Sequence, residues 1–222
     1  MSYQIISFPV VSPSIAGIKA VLFDCDGVLC HFLRFAQVLE REYEITREMT
    51  SEFFKKAFLP ALLGNADVLA ILPPFLEQWR WKGSAQEFLE LWLFSEREVK
   101  PGMIDIVNEL RQAGYYVGAA TNQELHRASY LRSQMGFDKL FDQSFISSEL
   151  GYMKPEPEYF QVVTSRIGVA PHQILFIDDQ QNYLKAASEC GWRTILFTDE
   201  QDTRQKLEAM LKPAAEVSVV RK

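Results

Sequence analysis

Short runs of consecutive apolar residues occur at intervals along the chain and predict buried strands. Val21, Leu22 and Phe23 form one such run within 18–24. Because no polar residue interrupts this run, we expect a strand that is covered on both faces. Gly27 ends the apolar pattern a few residues later. Later apolar runs predict four more strands, at 116–120, 145–146, 174–177 and 194–197.

Helical segments separate these predicted strands. Pro101 and Gly114 bound one of them, which follows the preference for Pro in the first turn and Gly after the last. Thr198, with Gln201 three residues on, is expected to cap the last helix. Strands and helices that alternate at this spacing predict a parallel sheet with helices on both faces, a doubly wound α/β fold. Three other helices are predicted: one after the strand at 116–120 that ends at Gly136, one over 155–168 and one over 180–191.

Residues 30–99 carry no comparable strand pattern. Apolar residues recur there at helical spacing, and Ser84 with Glu87 forms a capping box ahead of Phe88. This stretch predicts three to five helices. We therefore expect a core domain of residues 17–29 and 100–215, with a helical cap domain of residues 30–99 inserted after the first strand.

Composition narrows the class of protein. Apolar residues make up 48% and charged residues 23%, which is typical of a globular chain. The net charge of −6, with scattered basic residues, gives no reason to expect nucleic acid or an anionic membrane as a partner. No apolar run reaches the roughly 20 residues of a membrane helix. Cys25, Cys30 and Cys190 form no C-x-x-C pair, and 1–18 lacks a signal-peptide pattern, so we expect reduced thiols and a cytoplasmic location. The oligomeric state stays open.

Polar side chains follow the predicted strands at one edge of the sheet. In open α/β sheets, ligands bind beyond the carboxyl ends of the strands, so side chains at those ends are candidates for a site. A lysine just before a predicted helix joins them. In chain order the candidates are Asp24, Asp26, Thr121, Asn122, Lys154, Asp178 and Asp179.

This set of side chains favours phosphoryl transfer. Several carboxylates share a small volume only when a cation neutralises them, and oxygen ligands without His or Cys suit Mg²⁺. Lys154 would bind the negative charge of a phosphate, and Thr121 and Asn122 would donate to its oxygens. Asp24 is then the candidate nucleophile, and Asp26 is the candidate general acid and later base.

Four segments, taken together, resemble the signature motifs of the haloacid dehalogenase-like superfamily. They are Asp24-Cys25-Asp26-Gly27-Val28-Leu29, Thr121-Asn122, Lys154-Pro155, and Asp178-Asp179 with Asn182 behind it. The resemblance spans residues 18 to about 198 and implies a Rossmann-like core with a helical cap. Within the superfamily, the chain is similar to the small-cap enzymes that include bacterial glucose-1-phosphate phosphatases and the phosphatase domain of soluble epoxide hydrolase.

The resemblance also implies a role for each matching residue. Asp24 would be the nucleophile and a metal ligand, and Asp26 the acid and base, with its backbone carbonyl on the metal. Thr121 and Lys154 would bind the phosphoryl group. Asp179 would be the main second carboxylate ligand, with Asp178 assisting directly or through water.

The sequence thus predicts a Mg²⁺-dependent phosphatase that acts on a small phosphorylated metabolite through an aspartyl-phosphate. Sugar phosphates are the favoured substrates. A phosphomutase and a non-catalytic binding protein of the same fold stay open as alternatives. Asp26 favours phosphate chemistry over carbon–halogen cleavage, because a departing halide needs no proton. In the cap, Trp79, Trp81, His31 and Arg34 are the first candidates for substrate contacts.

Overall fold

A parallel five-stranded sheet forms the centre of the molecule. The structure is a computed structural model that describes residues 8, 17–32 and 34–211. The predicted end of the core domain, 212–215, lies outside these residues. The strands lie in the order β3-β2-β1-β4-β5, with β1 in the middle. In chain order they are β1 (Ala20–Phe23), β2 (Tyr116–Thr121), β3 (Gln143–Ile146), β4 (Ile174–Asp178) and β5 (Arg193–Leu196).

Alternate residues of β1 face two separate layers of core. Val21 and Phe23 belong to the apolar cluster on one face, and Ala20 and Leu22 to the cluster on the other. All four residues are buried, as expected for a central strand with helices on both faces. The doubly wound α/β prediction is therefore confirmed.

Helices of the core connect the strands and cover both faces of the sheet. The helices predicted over 101–114, 155–168 and 180–191 are present, and each end lies within two residues of the predicted one. The last helix, α12 (Glu200–Leu211), begins one residue later than a Thr198 cap requires. Asp199 caps it instead, because its Oδ1 accepts from the backbone N of Asp202 at 2.8 Å. The helices are α6 (Pro101–Gln112), α7 (Leu125–Ser133), α8 (Phe137–Leu140), α9 (Ser147–Leu150), α10 (Pro157–Ile167), α11 (Gln181–Glu189) and α12 (Glu200–Leu211), with a 3₁₀ turn at Pro171–Gln173.

The segment between β1 and α6 folds as helices around an apolar cluster of its own. Phe35, Phe53, Leu72 and Phe88 are among the fully or almost fully buried members of that cluster. The predicted capping box of Ser84 starts the last of these helices. The helices are α1 (Arg34–Tyr43), α2 (Arg47–Glu52), α3 (Leu59–Leu62), α4 (Val68–Gln78) and α5 (Ala85–Ser95), with a π-helical turn at Phe53–Ala57 between α2 and α3.

The two chain segments that join this helical insert to the sheet lie side by side. Cys30 and Val99 form an antiparallel bridge. The backbone N of His31 donates to the carbonyl of Glu98 at 2.9 Å, and the backbone N of Lys100 donates to the carbonyl of Leu29 at 2.8 Å. The insert therefore leaves and rejoins the core through a short two-stranded ribbon, which we call the connecting ribbon (29–31 and 98–100). Among the described residues, no helix has the length and apolar character needed to cross a bilayer.

Candidate active site

The carboxyl ends of β1, β2 and β4 bring three predicted site residues to one edge of the sheet. β1 pairs with β2 and with β4, so Phe23 lies opposite both Ala119 and Ile177. Asp24 follows directly, Thr121 ends β2 and Asp178 ends β4. Parallel strands of matched register thus place these side chains together, although they are far apart in the chain.

Lys154 lies between two carboxylates at the bottom of this site. Its Nζ is 2.9 Å from Asp24 Oδ1 and 2.6 Å from Asp178 Oδ2, and its side chain is almost completely buried. Burial alone would lower the pKa of this ammonium, but Asp24 and Asp178 together raise it well above its usual range. Lys154 therefore carries a fixed positive charge in the interior.

Asn122 holds the backbone of Lys154 in place. Its Nδ2 donates to the Lys154 carbonyl at 2.8 Å, and its Oδ1 accepts from the Lys154 backbone N at 2.9 Å. Both ends of the amide are thus engaged with one residue. These contacts support a positioning role for the Asn122 side chain, whereas the sequence predicted a direct contact with phosphate.

Three carboxylates converge beside Lys154. One oxygen each from Asp24, Asp178 and Asp179 lies within 4.8 Å of the other two. Burial, together with the charge of Asp178, raises the pKa of Asp24 to about 6, although Lys154 opposes the shift. An all-oxygen set of acids that is only partly neutralised by Lys154 fits a hard divalent cation such as Mg²⁺.

Asp178 and Asp179 differ in how they are held. Asp178 Oδ2 accepts from Lys154, and Asp178 Oδ1 accepts from the backbone N of Gln180 at 2.7 Å. Asp179 is only partly buried, and it packs against Gly27, where a Cβ would lie 2.4 Å from Asp179 Oδ2. Gly27 also has φ +91°, a left-handed conformation that glycine adopts without strain. The glycine after the first motif therefore leaves room for the carboxylate of Asp179.

Asp26 lies apart from this cluster and is held by two other side chains. Gln123 Nε2 donates to Asp26 Oδ2 at 2.8 Å and to Thr121 Oγ1 at 3.1 Å. Arg127 Nη2 donates to Asp26 Oδ1 at 3.3 Å and to the main-chain carbonyl of Glu96 at 2.7 Å. Gln123 and Arg127 are both buried, so the carboxylate of Asp26 is held from two sides.

Sequence reasoning missed Gln123, Arg127 and Lys100. The ammonium of Lys100 donates to the carbonyl of Gly27, which joins the connecting ribbon to the loop after β1. Gln123 lies directly after the Thr121-Asn122 motif, and Arg127 lies in the first turn of α7. A polar residue and an arginine near a helix start carry no pattern of their own. Their position after a site strand was the only available signal.

A cavity of about 790 Å³ extends from the acids into the helical insert. The sequence candidates Trp79, Trp81, His31 and Arg34 are absent from its described lining. Trp79 packs in the core of the insert and donates to the carbonyl of Met49 at 3.0 Å. Another tryptophan, Trp92, lines the cavity.

Glu96 lies where α5 ends and the connecting ribbon begins. Its Oε1 accepts from the backbone N of Phe35 at 3.0 Å, while its Oε2 is buried without a hydrogen-bond partner among the described residues. Burial, with a smaller contribution from the Asp26 charge, raises the pKa of Glu96 to about 7. This carboxyl therefore titrates near neutral pH, next to the cavity.

Comparison with known proteins places the chain in a family. A sequence model of the haloacid dehalogenase-like hydrolases matches residues 18–191, which include all seven predicted site residues. The chain belongs to the haloacid dehalogenase-like hydrolase family. The superfamily resemblance of the four motifs is thereby confirmed.

Curated relatives of this hydrolase are distant. Bifunctional epoxide hydrolase 2 of Sus scrofa is 23% identical over 86% of the chain, which spans only 38% of the pig enzyme. YhcW of Bacillus subtilis, which is named as a phosphatase, is 23% identical over 87% of the chain and 92% of its own length. A phosphoglycolate phosphatase of Mannheimia succiniciproducens is 26% identical over 44% of each chain.

Solved structures share the fold of this hydrolase. A family enzyme of Bacteroides thetaiotaomicron, crystallised with magnesium and inorganic phosphate, has a TM-score of 0.70 at 23% identity, over 82% of this chain and 95% of that one. L-2-haloacid dehalogenase of Xanthobacter autotrophicus has a TM-score of 0.63 at 21% identity, over 88% of this chain and 85% of that one. At these identities the similarity is one of fold.

Proposed function

We propose that this hydrolase is a Mg²⁺-dependent phosphatase of small phosphomonoesters that works through an aspartyl-phosphate on Asp24. The arrangement around Lys154 carries the proposal, since its buried ammonium lies 2.9 Å from Asp24 and 2.6 Å from Asp178. A fixed positive charge beside a carboxylate and Thr121 is what a phosphoryl group needs for binding and attack. The magnesium and phosphate found with the Bacteroides enzyme, and the phosphatase names of YhcW and the phosphoglycolate phosphatases, support it further.

The metal ligands in this proposal are Asp24, Asp179 and the backbone carbonyl of Asp26. Asp178 has both oxygens engaged, by Lys154 and by the backbone N of Gln180, so we assign it to orienting Lys154 and to the cation only indirectly. When bound, Mg²⁺ supplies neutralisation of the carboxylates and of the phosphoryl oxygens.

The reaction follows from the positions of two carboxylates. Asp24 attacks phosphorus and the ester P–O bond breaks, while Asp26 gives its proton to the leaving oxygen. Asp26 then takes a proton from water, which attacks the phosphorus of the aspartyl-phosphate and releases inorganic phosphate and free Asp24. Thr121 and Lys154 hold the phosphoryl oxygens in both steps.

The helical insert is the cap domain in this proposal, with residues 30–99 as cap and the sheet with its helices as core. The cap covers the acids and contributes the wall of the cavity that contacts the leaving group. A sugar phosphate stays the substrate predicted from the sequence, but the lining of the cavity argues for another class of leaving group.

Phosphate release from acetyl phosphate and p-nitrophenyl phosphate tests the function. Mg²⁺ should support turnover, and EDTA should abolish it until Mg²⁺ is restored. Asp24→Asn should remove turnover and phosphoenzyme together. Asp138→Asn, the same change at an exposed position of α8, is the matched control and should retain both. Full activity in a chelated sample, or in Asp24→Asn, would overturn the proposal.

A further inference from the structure

The cap wall of the cavity is built from aromatic and aliphatic side chains. Four aromatic residues form what we call the aromatic wall (Phe35, Phe54, Phe58 and Trp92). The ring of Trp92 stacks on Phe35 with centroids 5.6 Å apart, and it lies 5.3 Å from both Phe54 and Phe58. The aliphatic members of the same lining are Ala36, Leu39, Ile45 and Leu62.

Charged side chains line the cavity near the phosphate-binding residues, at Glu96 and on the exposed cap side. The phosphate end holds the site acids with Lys154 and Arg127. On the cap side, Arg47, Glu48 and Lys55 are exposed to solvent, so their charges lie where the cavity opens. Glu96, whose Oε1 accepts from the backbone N of Phe35, is the charged cap residue beside the aromatic wall, and the other residues around it in the cap lining are mostly apolar.

Few uncharged polar side chains line the cap side of the cavity. Of the described cap residues that line the cavity, Thr50 and Ser51 carry the uncharged polar side chains. The Thr50 hydroxyl already lies within hydrogen-bond distance of the carbonyls of Thr46 and Arg47, at 3.3 and 3.2 Å. A sugar that packed against the cap wall would find few partners there for its hydroxyls, which disfavours its binding on that wall.

A π-helical turn helps to form the aromatic wall. In the turn at Phe53–Ala57, the backbone N of Phe58 donates to the carbonyl of Phe53 at 2.9 Å, one residue further than in an α-helix. Phe53 packs into the cap core, while Phe54 and Phe58 line the cavity. Such turns are frequent at functional sites, where they re-aim side chains.

Phe32 adds apolar surface next to the chemistry. It follows the motif loop, lines the cavity and is 54% exposed. A large exposed aromatic ring beside a binding site is covered when an apolar ligand group packs on it, which favours such a ligand.

We infer that the natural substrate of this site is a phosphomonoester with an extended apolar leaving group, an alkyl chain or an aromatic ring system, rather than a sugar. The inference rests on the proposed phosphatase function and names its substrate class. The phosphate binds at Lys154 and Thr121, and the apolar group extends from it along the aromatic wall.

A series of monoalkyl phosphates tests the inference on the unmodified protein. The leaving alcohols from propyl to octyl phosphate have nearly the same reactivity, so a trend in kcat/KM reports burial of the alkyl group. Each added methylene should raise kcat/KM about three- to fourfold until the cavity is filled. Phenyl and 2-naphthyl phosphates form the aromatic arm, and the larger ring should be preferred at least tenfold if the occupant is aromatic. Glucose 1-phosphate and glucose 6-phosphate form the sugar arm and should be poorer substrates than octyl phosphate.

A pair of cap variants tests whether the preference for apolar leaving groups arises at the aromatic wall. Phe54→Ser places a polar side chain in the aromatic wall and should lower the ratio of kcat/KM for octyl phosphate to that for acetyl phosphate at least tenfold. Phe94→Ser is the matched control, because Phe94 is 56% exposed on α5 and does not line this cavity. That ratio should stay within about twofold of wild type in the control.

The outcomes separate the inference from the function on which it rests. A flat alkyl series with a flat aromatic pair, or glucose phosphates that exceed octyl phosphate, would overturn the apolar leaving group while phosphatase activity stands. Release of no phosphate from any substrate, acetyl phosphate included, would instead overturn the proposed function. The wild-type series decides the inference even if Phe54→Ser fails to fold.

Discussion

The guanidinium of Arg127 lies 3.3 Å from the carboxylate of Asp26, and the same Nη2 atom lies 2.7 Å from the main-chain carbonyl of Glu96. One buried side chain therefore joins the second aspartate of the first motif to the end of the last cap helix. In the proposed reaction, Arg127 is a positioning residue that keeps Asp26 aimed at the leaving oxygen.

Removing that contact should slow chemistry that depends on a proton donor. Arg127→Met keeps most of the side-chain volume but loses the charge and the hydrogen bonds to Asp26 and Glu96. We expect kcat for octyl phosphate to fall about 10- to 100-fold, with a smaller loss for p-nitrophenyl phosphate, whose leaving group needs less protonation. Arg132→Met, on the same helix but paired with Glu149 at the surface, is the control. Equal losses for both substrates would contradict the positioning role.

Asp26 itself should separate the two half-reactions. Asp26→Asn keeps the nucleophile but removes the group that activates water, so the aspartyl-phosphate should form from p-nitrophenyl phosphate and then persist. Trapping of labelled phosphoenzyme after acid quench measures this. A variant that turns over alkyl and p-nitrophenyl phosphates in the wild-type ratio would show that Asp26 is not the acid.

Lys154 should be essential for stability as well as for binding phosphate. Lys154→Met leaves Asp24 and Asp178 buried without their cation, which should lower the free energy of unfolding by about 3–5 kcal/mol. Mg²⁺ should then raise the Tm of the variant more than that of the wild type, because the carboxylates lack another partner. Lys206→Met, which breaks a surface pair with Asp202, should cost less than about 1 kcal/mol. An identical Mg²⁺-induced Tm shift in Lys154→Met and wild type would refute this account.

Gly27 tests the packing of Asp179, a metal ligand in the proposed function. In Gly27→Ala the new Cβ would lie 2.4 Å from Asp179 Oδ2, so the carboxylate must move, and Mg²⁺ affinity should fall at least tenfold. Gly168→Ala is a matched control, because Gly168 has φ +74° but a Cβ there would meet no atom of the described residues within 4 Å. In both variants the free energy of unfolding should fall by about 1–2 kcal/mol, because alanine is strained at a positive φ. Only the first should weaken Mg²⁺ binding, as measured by calorimetric titration.

Glu96 should make stability depend on pH. Its pKa is about 7 in the folded protein against an ordinary value of 4.5, so the folded form holds more protons between these values. Stability should therefore fall as pH rises from about 4.5 through 7. Glu96→Gln should remove this contribution and raise the free energy of unfolding by on the order of 1–2 kcal/mol at pH 8, with little gain at pH 4.5. Urea unfolding at both values measures it, and Glu77→Gln, an exposed change on α4, should alter neither.

The predicted strands and the residues that follow them were recoverable from the sequence for a physical reason. A strand buried on both faces must be continuously apolar, as in Ala20–Phe23, and parallel strands end at a common edge. The convergence of Asp24, Thr121 and Asp178 follows from those two facts alone. The cap prediction rested on helical spacing, which shows that helices form but not which face lines a cavity.

Contacts between distant residues were not recoverable. Gln123 and Arg127 meet Asp26 across about a hundred residues, and no local pattern encodes such a pairing. Likewise, Trp79 and Trp92 are both cap tryptophans at helical spacing, yet one packs in the cap core and the other lines the cavity. The way the cap helices pack against each other decides between them.

The connecting ribbon brings the two ends of the helical insert together at one place on the sheet. Because Cys30 and Val99 are bridged, the chain leaves the sheet and returns to it at the same point, so the path of the core is continuous without the 70 residues or so between them. A segment of another length or shape that began and ended at the same two points would leave the register of the strands unchanged. In the proposed function, the reacting groups and the cap wall that contacts the leaving group thus lie in separate stretches of sequence, and the wall could change while the reacting groups stay the same.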